Sequence, residues 1–176
     1  MCYTGWHGQA TRTDKQMKLH KQIPSPVGPI YLVADSKSLR AITFATNWSA
    51  LPPGKAGAAG DNPILSKTQR QLEEYFAGRR TDFELPIALT GTPFQKKTWQ
   101  ALLTIPYGET RSYSQQAQII GNPKAVRAVG RTNGLNPIAI VVPCHRVIGK
   151  SGKLTGYAGG LEIKRFLLEL ENSSRL

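Results

Sequence analysis

The sequence predicts an α/β chain in two parts, a small sheet with one helix over residues 16–85 and a mostly helical part over residues 86–176. Three observations carry that expectation. Two apolar, partly alternating runs lie close together before residue 45, apolar residues recur at helical spacing in five later stretches, and an extended segment without periodicity, residues 79–92, divides the two patterns.

The runs Ile30 to Ala34 and Leu39 to Phe44 are rich in β-branched and large apolar residues, and the polar Asp35-Ser-Lys-Ser38 between them reads as a turn, so a hairpin is expected. Asn47 to Asn62, with Pro52-Pro-Gly54 and Gly57-Ala-Ala-Gly60, has loop composition. From Ser66 to Ala77 the helical period returns through Leu72, Tyr75 and Phe76, and Gly78 ends it. Residues 1–15 match neither period and stay unassigned.

After the divide, Thr92-Pro93 combines a capping side chain with proline at the first helical position. The helix it opens, to about Leu103, should turn Phe94, Trp99, Leu102 and Leu103 inward. Ser112 is placed to cap a short helix from Tyr113 to Ile120, Gly121-Asn122 makes a turn, and Pro123 opens a helix from Lys124 to Asn133. Helix, glycine-bearing turn, helix is the helix-turn-helix pattern. In its second helix Ala125, Val126 and Val129 should face inward, while Lys124, Arg127, Ala128 and Arg131 share the outer face. The last helix, Leu161 to Glu171, carries the stripe Ile163, Phe166, Leu167 and Leu170; Glu162 and Glu171 flank it on opposite edges, and Glu169 points to solvent.

Charge narrows the function. Lys+Arg number 23 against 11 Asp+Glu, a formal net of +12, which attracts polyanions, nucleic acid first. The longest apolar runs are about six residues, far below the roughly 20 of a membrane helix, and the first fifteen residues lack the apolar core of a secretion signal. A chain inside the cell, without membrane attachment, is expected. The two cysteines, Cys2 and Cys144, are far apart in sequence, which argues against a structural disulfide; Cys2 with His7 lacks the second ligand pair of a closed zinc site, so no metal is expected.

Cys144 stands at the end of Pro137 to Val142, an apolar run with the length and composition of a buried strand that Pro143 stops. Adjacent strand side chains point to opposite faces, so Cys144 and His145 cooperate only if the backbone turns between them or a water bridges them. Arg146 and Lys150 add positive charge just beyond. A basic helix-turn-helix ending about ten residues before a nucleophile–base pair is an uncommon combination.

Pro93-Phe-Gln95 with Trp99, Ile105 to Tyr113, Gly121 to Gly130, Asn136-Pro137, Pro143 to Gly149, Gly156 to Leu161 and Leu167 to Glu171 together resemble the O6-alkylguanine-DNA alkyltransferases, the methylated-DNA–protein-cysteine methyltransferases that repair DNA. The resemblance is dense over residues 93–171 and looser upstream. It implies a ribonuclease H-like N-terminal domain, a C-terminal domain bearing the helix-turn-helix and active-site loop, and one irreversible transfer of an alkyl group from O6-alkylguanine, with O4-alkylthymine a further candidate, to Cys144. By the same resemblance His145 takes the thiol proton through a water, Glu171 rather than Glu162 orients the imidazole, and Asn136 organises the site. Arg127 fills the gap left by a flipped base, Tyr113 crowds the phosphate, and Lys124, Ala128 and Arg131 lie along the DNA. Tyr157, Val147, Ile148, Ala158 and Gly159 line the guanine pocket, with small residues leaving space for alkyl groups larger than methyl. Arg131 stands where many relatives have a small residue. No cofactor is implied; the partner is double-stranded DNA, the protein a monomer, and its location the cytoplasm, at the nucleoid, or the nucleus of a eukaryote. A protein that binds alkylated bases without reacting, and a helix-turn-helix regulator with a redox-sensing thiol, are the alternatives.

Overall fold

Strands β1 (Leu19–Ile23), β2 (Ile30–Ala34) and β3 (Leu39–Phe44) form an antiparallel meander, in a computed structural model that describes residues 17–48 and 56–173. Residues 1–15 lie outside that description, Cys2 and His7 with them. The expected hairpin has the expected bounds. Its turn is built on Asp35, whose carboxylate accepts the N–H groups of Lys37 and Ser38 at 2.8 Å each and is buried by the fold around it. A register shift at Val33/Ala34 follows directly.

Helix α1 (Ala45–Trp48) leaves the sheet, and β4 (Ala58–Ala59) returns to pair in parallel with β1, giving the order β3-β2-β1-β4. The segment read as loop therefore ends in a short strand. Helix α2 spans Pro63–Phe76 and begins three residues earlier than its apolar period indicates. Asn62 caps it, accepting from Leu65 N at 2.9 Å, and Pro63 is the first helical residue. Leu65, Leu72 and Tyr75 are its buried apolar stripe.

The extended residues 79–92 are docked rather than free. Leu39 N donates to Pro86 O at 2.7 Å and Ala88 N to Leu39 O at 3.1 Å, so this stretch lies along the open edge of β3. Farther along the same edge, Ile42 N donates to Pro137 O and Ala139 N to Ile42 O. The main hydrophobic core spans both parts, with Leu32, Leu72 and Tyr75 packed in the same cluster as Trp99, Ile138, Val142 and Leu167, and a smaller cluster of Ala101, Ala117, Ile120 and Val129 lies among the helices.

Helices α3 (Pro93–Leu102) and α4 (Tyr113–Ile119) both start with a full capping box, Thr92 with Gln95 and Ser112 with Gln115. Leu103 departs from its expected inward position: it is the C-cap of α3 and 46% exposed. Gly121, at φ 71°, makes the turn after α4. Helix α5 spans Val126–Asn133, starting two residues after Lys124, because Ala125 N first closes a turn on Asn122 O. Lys124 thus lies on the turn, not on the helix. Val129 is buried, while Ala125 and Val126 are only partly covered. The two-residue strands β5 (Arg111–Ser112) and β6 (Val147–Ile148) pair in parallel, and α6 (Leu161–Ser173) closes the chain.

The largest departure concerns Pro137 to Val142. The run is buried as its composition requires, yet only Ile138 makes a bridge to the sheet, and Ile140 sits at φ 71° in the left-handed region. A β-branched residue there is uncommon and costs on the order of 1–3 kcal/mol. Asn136 gives the reason. Its Oδ1 accepts from Ile138 N at 3.0 Å and its Nδ2 donates to Val142 O at 2.7 Å, while Val142 N donates to Ile138 O, so the run coils around one amide instead of extending.

Candidate active site and nucleic-acid interface

Coiling of 137–142 delivers Cys144 into a single 3-10 turn, Cys144–Arg146. That turn separates the faces of neighbouring side chains. Cys144 is a free, buried thiol whose sulfur accepts from Asn136 Nδ2 at 3.1 Å, so the amide that shapes the loop also holds the nucleophile. Burial pushes the thiol pKa up; the Asn136 hydrogen bond and the charge of Lys164 pull against it.

His145 is fully buried, with Nε2 2.8 Å from Glu171 Oε1. Burial holds the imidazole below its usual pKa, against the pull of Glu171 and with the push of Arg146 and Lys164, so its resting form is neutral. A neutral ring paired this way carries its proton on Nε2 and leaves a lone pair on Nδ1, the one ring nitrogen with no protein partner. Burial alone would raise the Glu171 carboxyl. The hydrogen bond from His145 and the hydrogen bonds and charge of Arg146 overcome it and hold the group at about 2. Arg146 grips the carboxylate in two-pronged fashion, Nε to Oε2 at 2.9 Å and Nη2 to Oε1 at 3.0 Å, and its Nη1 donates to Ile105 O. Arg146 was expected to add surface charge; it is 6% exposed and spends its charge inside.

The two glutamates flanking the α6 stripe are resolved by geometry. Glu171 is buried against His145, whereas Glu162 is exposed, as is Glu169.

Lys164 escaped sequence reasoning altogether, because a lysine between apolar stripe residues reads as a solvated edge. It is fully buried. Its Nζ donates to Val147 O at 2.6 Å and Thr155 O at 2.9 Å and lies 5.8 Å from the centre of the Tyr113 ring. Burial lowers it to about 8. Tyr113 donates to the same Thr155 O at 3.1 Å, so lysine and tyrosine together hold the Thr155 carbonyl at the start of the loop. No local sequence signal marks Lys164.

Beside this loop lies an open cavity of 550 Å³ lined by Tyr113, Arg127, Gly130, Gly156, Tyr157 and Ala158, among others. It joins the outer helix face to the loop. Of the residues expected at a base pocket, Tyr157 and Ala158 line it; Val147 is buried in the core, Ile148 pairs with Ser112, and Gly159 packs elsewhere. The Gly159 expectation needs correcting. A Cβ there would stand 2.6 Å from the Phe44 ring, so its small size admits a core phenylalanine rather than leaving room for a larger alkyl group. The Tyr157 phenol is raised by burial and by the nearby Cys144 and Glu171 charges, which ties this cavity electrostatically to the thiol.

Arg127, Ala128 and Arg131 are exposed on one side of α5, with Lys124 exposed on the turn before it. Among the described residues none of the three cations has an ion pair. The helix behind them is fixed from inside: Trp99 Nε1 donates to Thr132 O at 2.9 Å, and Gln116 and Asn133 exchange side-chain hydrogen bonds at 3.1 and 2.7 Å. Among the described residues no group of three or more His, Cys, Asp or Glu side chains is disposed to hold a metal ion.

This arrangement has close counterparts. Residues 93–173 match the DNA-binding domain of 6-O-methylguanine DNA methyltransferase, and residues 19–89 match the ribonuclease-like domain of the same family. The methylated-DNA–protein-cysteine methyltransferase of Methanosarcina acetivorans is 52% identical over 149 residues, spanning 85% of this chain and 95% of its own. That of Mycobacterium tuberculosis is 51% identical over 154 residues, 88% of this chain and 92% of its own. The crystal structure of the M. tuberculosis O6-methylguanine methyltransferase superposes with a TM-score of 0.82 at 50% identity, over 90% of this chain and 94% of that one. The same protein solved in complex with DNA gives 0.81 at 49% identity, over 89% and 94%. With both family domains matched in order and half the residues shared along nearly the whole length, the chain belongs to the 6-O-methylguanine DNA methyltransferase family.

Proposed function

We propose that Cys144 is the acceptor in a single-turnover transfer of an alkyl group from O6-alkylguanine in double-stranded DNA, with His145 as base and Glu171 as its orienting carboxylate. As a member of its family the chain is a transferase that repairs DNA by moving an alkyl group from the damaged base onto a cysteine of the protein. The observation that carries the residue assignment is the set of contacts Asn136–Cys144 and His145–Glu171–Arg146, with Nδ1 of buried His145, the residue next to Cys144, left without a hydrogen-bond partner.

The chemistry follows from those groups. His145 Nδ1 takes the Cys144 proton through a water, giving an imidazolium that ionised Glu171 stabilises. The thiolate attacks the alkyl carbon; the S–C bond forms, the C–O bond breaks, and the electron pair goes to the guanine oxygen. A thioether has no ready hydrolytic exit, so each molecule reacts once. Asn136 holds the sulfur while the loop it shapes stays closed.

Delivery of the base falls to the outer helix face. Arg127, at the mouth of the 550 Å³ cavity, occupies the gap in the base stack; a planar cation can stack on and hydrogen-bond the orphaned partner, against an unstacking cost of a few kcal/mol. Tyr113 crowds the phosphate, Lys124 and Arg131 contact the backbone, and Ala128 permits close approach. Tyr157 and Ala158 receive the guanine, with Val147 and Ile148 behind them supplying apolar wall and backbone; Gly159 acts indirectly, by letting Phe44 support Tyr157 with ring centres 5.9 Å apart. The protein works as a monomer, in the cytoplasm at the nucleoid, as two units divided within residues 79–92, and without a cofactor.

The test uses a duplex carrying O6-methylguanine with a labelled methyl group. One equivalent of label per protein, recovered on Cys144, is expected. Cys144→Ala should abolish transfer and keep duplex binding. Label on another residue, or more than one equivalent, overturns the assignment.

A further inference from the structure

Glu171 is held by more than the two partners the reaction needs. Its Oε1 takes His145 Nε2 at 2.8 Å and Arg146 Nη2 at 3.0 Å, and its Oε2 takes Arg146 Nε at 2.9 Å and Gly108 N at 3.0 Å. A fifth donor comes from the other part of the chain: Tyr75 OH, on α2, lies 2.8 Å from the same Oε1 that receives His145. Tyr75 is fully buried, its ring enclosed by Phe76, Phe83 and Tyr107 with centres 5.5, 5.5 and 6.1 Å away. Its hydroxyl donates to Glu171. Burial and the Glu171 charge both disfavour the phenolate, so the group acts only as a donor.

From this geometry we infer that Tyr75 is a positioning residue for alkyl transfer: its hydroxyl fixes the Glu171 oxygen that orients His145, and so couples the sheet part of the fold to the reactivity of Cys144. The inference rests on the assignment of Cys144, His145 and Glu171 above. Three donors, His145, Arg146 and Tyr75, share this one carboxylate oxygen and divide its basicity. The phenol therefore tempers how strongly Glu171 stabilises the imidazolium as well as where it points. The groups facing this carboxylate are Tyr75 from α2, His145 and Arg146 from the 3-10 turn, and the Gly108 N–H; Tyr107 flanks Tyr75, and Lys164 acts on His145 from α6.

Tyr75→Phe removes the hydroxyl and keeps the ring. The single-turnover rate of methyl transfer is measured against pH, beside duplex affinity and Tm. At neutral pH transfer should slow by about tenfold with unchanged duplex affinity. The acid limb of the rate profile should move up by about half a unit, because an Oε1 relieved of one of its three donors holds the imidazolium proton more tightly. Leu72→Ala, in the same helix and core, is the control and should lower Tm without moving the acid limb. A wild-type profile in Tyr75→Phe overturns the inference, as does a slower rate with an unmoved limb, which marks a structural role only. If label misses Cys144 in the unaltered protein, the assignment itself fails, whatever Tyr75→Phe does.

Discussion

Two regions of this molecule carry concentrated positive charge and treat it in opposite ways. Around Glu171 the cations are internal: Arg146 and Lys164 are buried, and each of their side-chain nitrogens donates to a carboxylate or a backbone carbonyl. Along α5 and on the turn before it, Lys124, Arg127 and Arg131 are exposed and have no ion pair among the described residues. The first region uses charge to hold a shape. The second keeps its charge for an outside partner. Substitutions in the first should therefore act on stability and chemistry together, and substitutions in the second chiefly on DNA binding and base delivery.

The sharpest separation comes from Arg146→Ala. It strips Glu171 of a two-pronged partner and Ile105 O of its donor, leaving a buried carboxylate under-compensated, so a loss of about 3–5 kcal/mol in urea unfolding is expected, with methyl transfer falling in parallel. Wild-type stability in that variant would break the comparison.

Acid should find the same region. Glu171 is depressed from 4.5 to about 2 and His145 also lies below its ordinary 6.5. In both cases the unfolded chain binds the proton first. Stability is then complete above the unfolded values, begins to fall below pH 6.5 as unfolded His145 protonates, and falls further between 4.5 and about 2. The Glu171 share is about 3 kcal/mol. Glu171→Gln should flatten the lower part of a Tm-against-pH curve, and an unchanged slope would remove Glu171 as its source.

The contrast also explains what could be read from the residues. Exposed features announce themselves locally: Thr92-Pro93 and Ser112 cap the helices they promise, and Arg127, Ala128 and Arg131 share a face at helical spacing. Lys124 misled because proline marks a helix start without saying whether a turn closes first, as Ala125 N does on Asn122 O. Buried charge announces nothing. Arg146 and Lys164 look like surface cations until the fold brings partners from 25 and 17 residues away, and Tyr75 meets Glu171 across 96. The wheel of α6 left Glu162 and Glu171 equivalent; family resemblance chose between them, and the burial of Glu171 agrees. The run before Cys144 read as a strand because hydrophobic period cannot register one asparagine amide folding six residues around itself.

On the outer face, Arg127→Ala should leave Tm unchanged to within about 0.5 kcal/mol of stability. It removes a side chain at the cavity mouth with no internal ion pair, so the cost falls on the flipped state: single-turnover transfer from duplex drops by roughly 10–100-fold, for a loss of about 1–3 kcal/mol. Transfer from free O6-methylguanine base, which needs no flipping, should hardly change. Equal losses on both substrates would assign Arg127 to the chemical region instead.

The smallest effects belong to Lys124 and Arg131, and they discriminate best between a working interface and a merely solvated surface. If each meets one phosphate, Lys124→Ala and Arg131→Ala should each weaken duplex binding about equally for damaged and undamaged DNA. Each should also lower the slope of log Kd against log salt by about one. Neither is among the groups that bond Glu171, so the acid limb of the transfer rate should stay where it is in both variants. Arg131 is the more informative of the pair. It lies in the last turn of α5, where a cation also favours the helix dipole by about 0.3–1 kcal/mol, so its loss carries a small stability term that Lys124, on the turn before the helix, lacks. A reduced salt slope in both variants, with a slight Tm loss in Arg131→Ala alone, is the pattern expected of charge held for DNA.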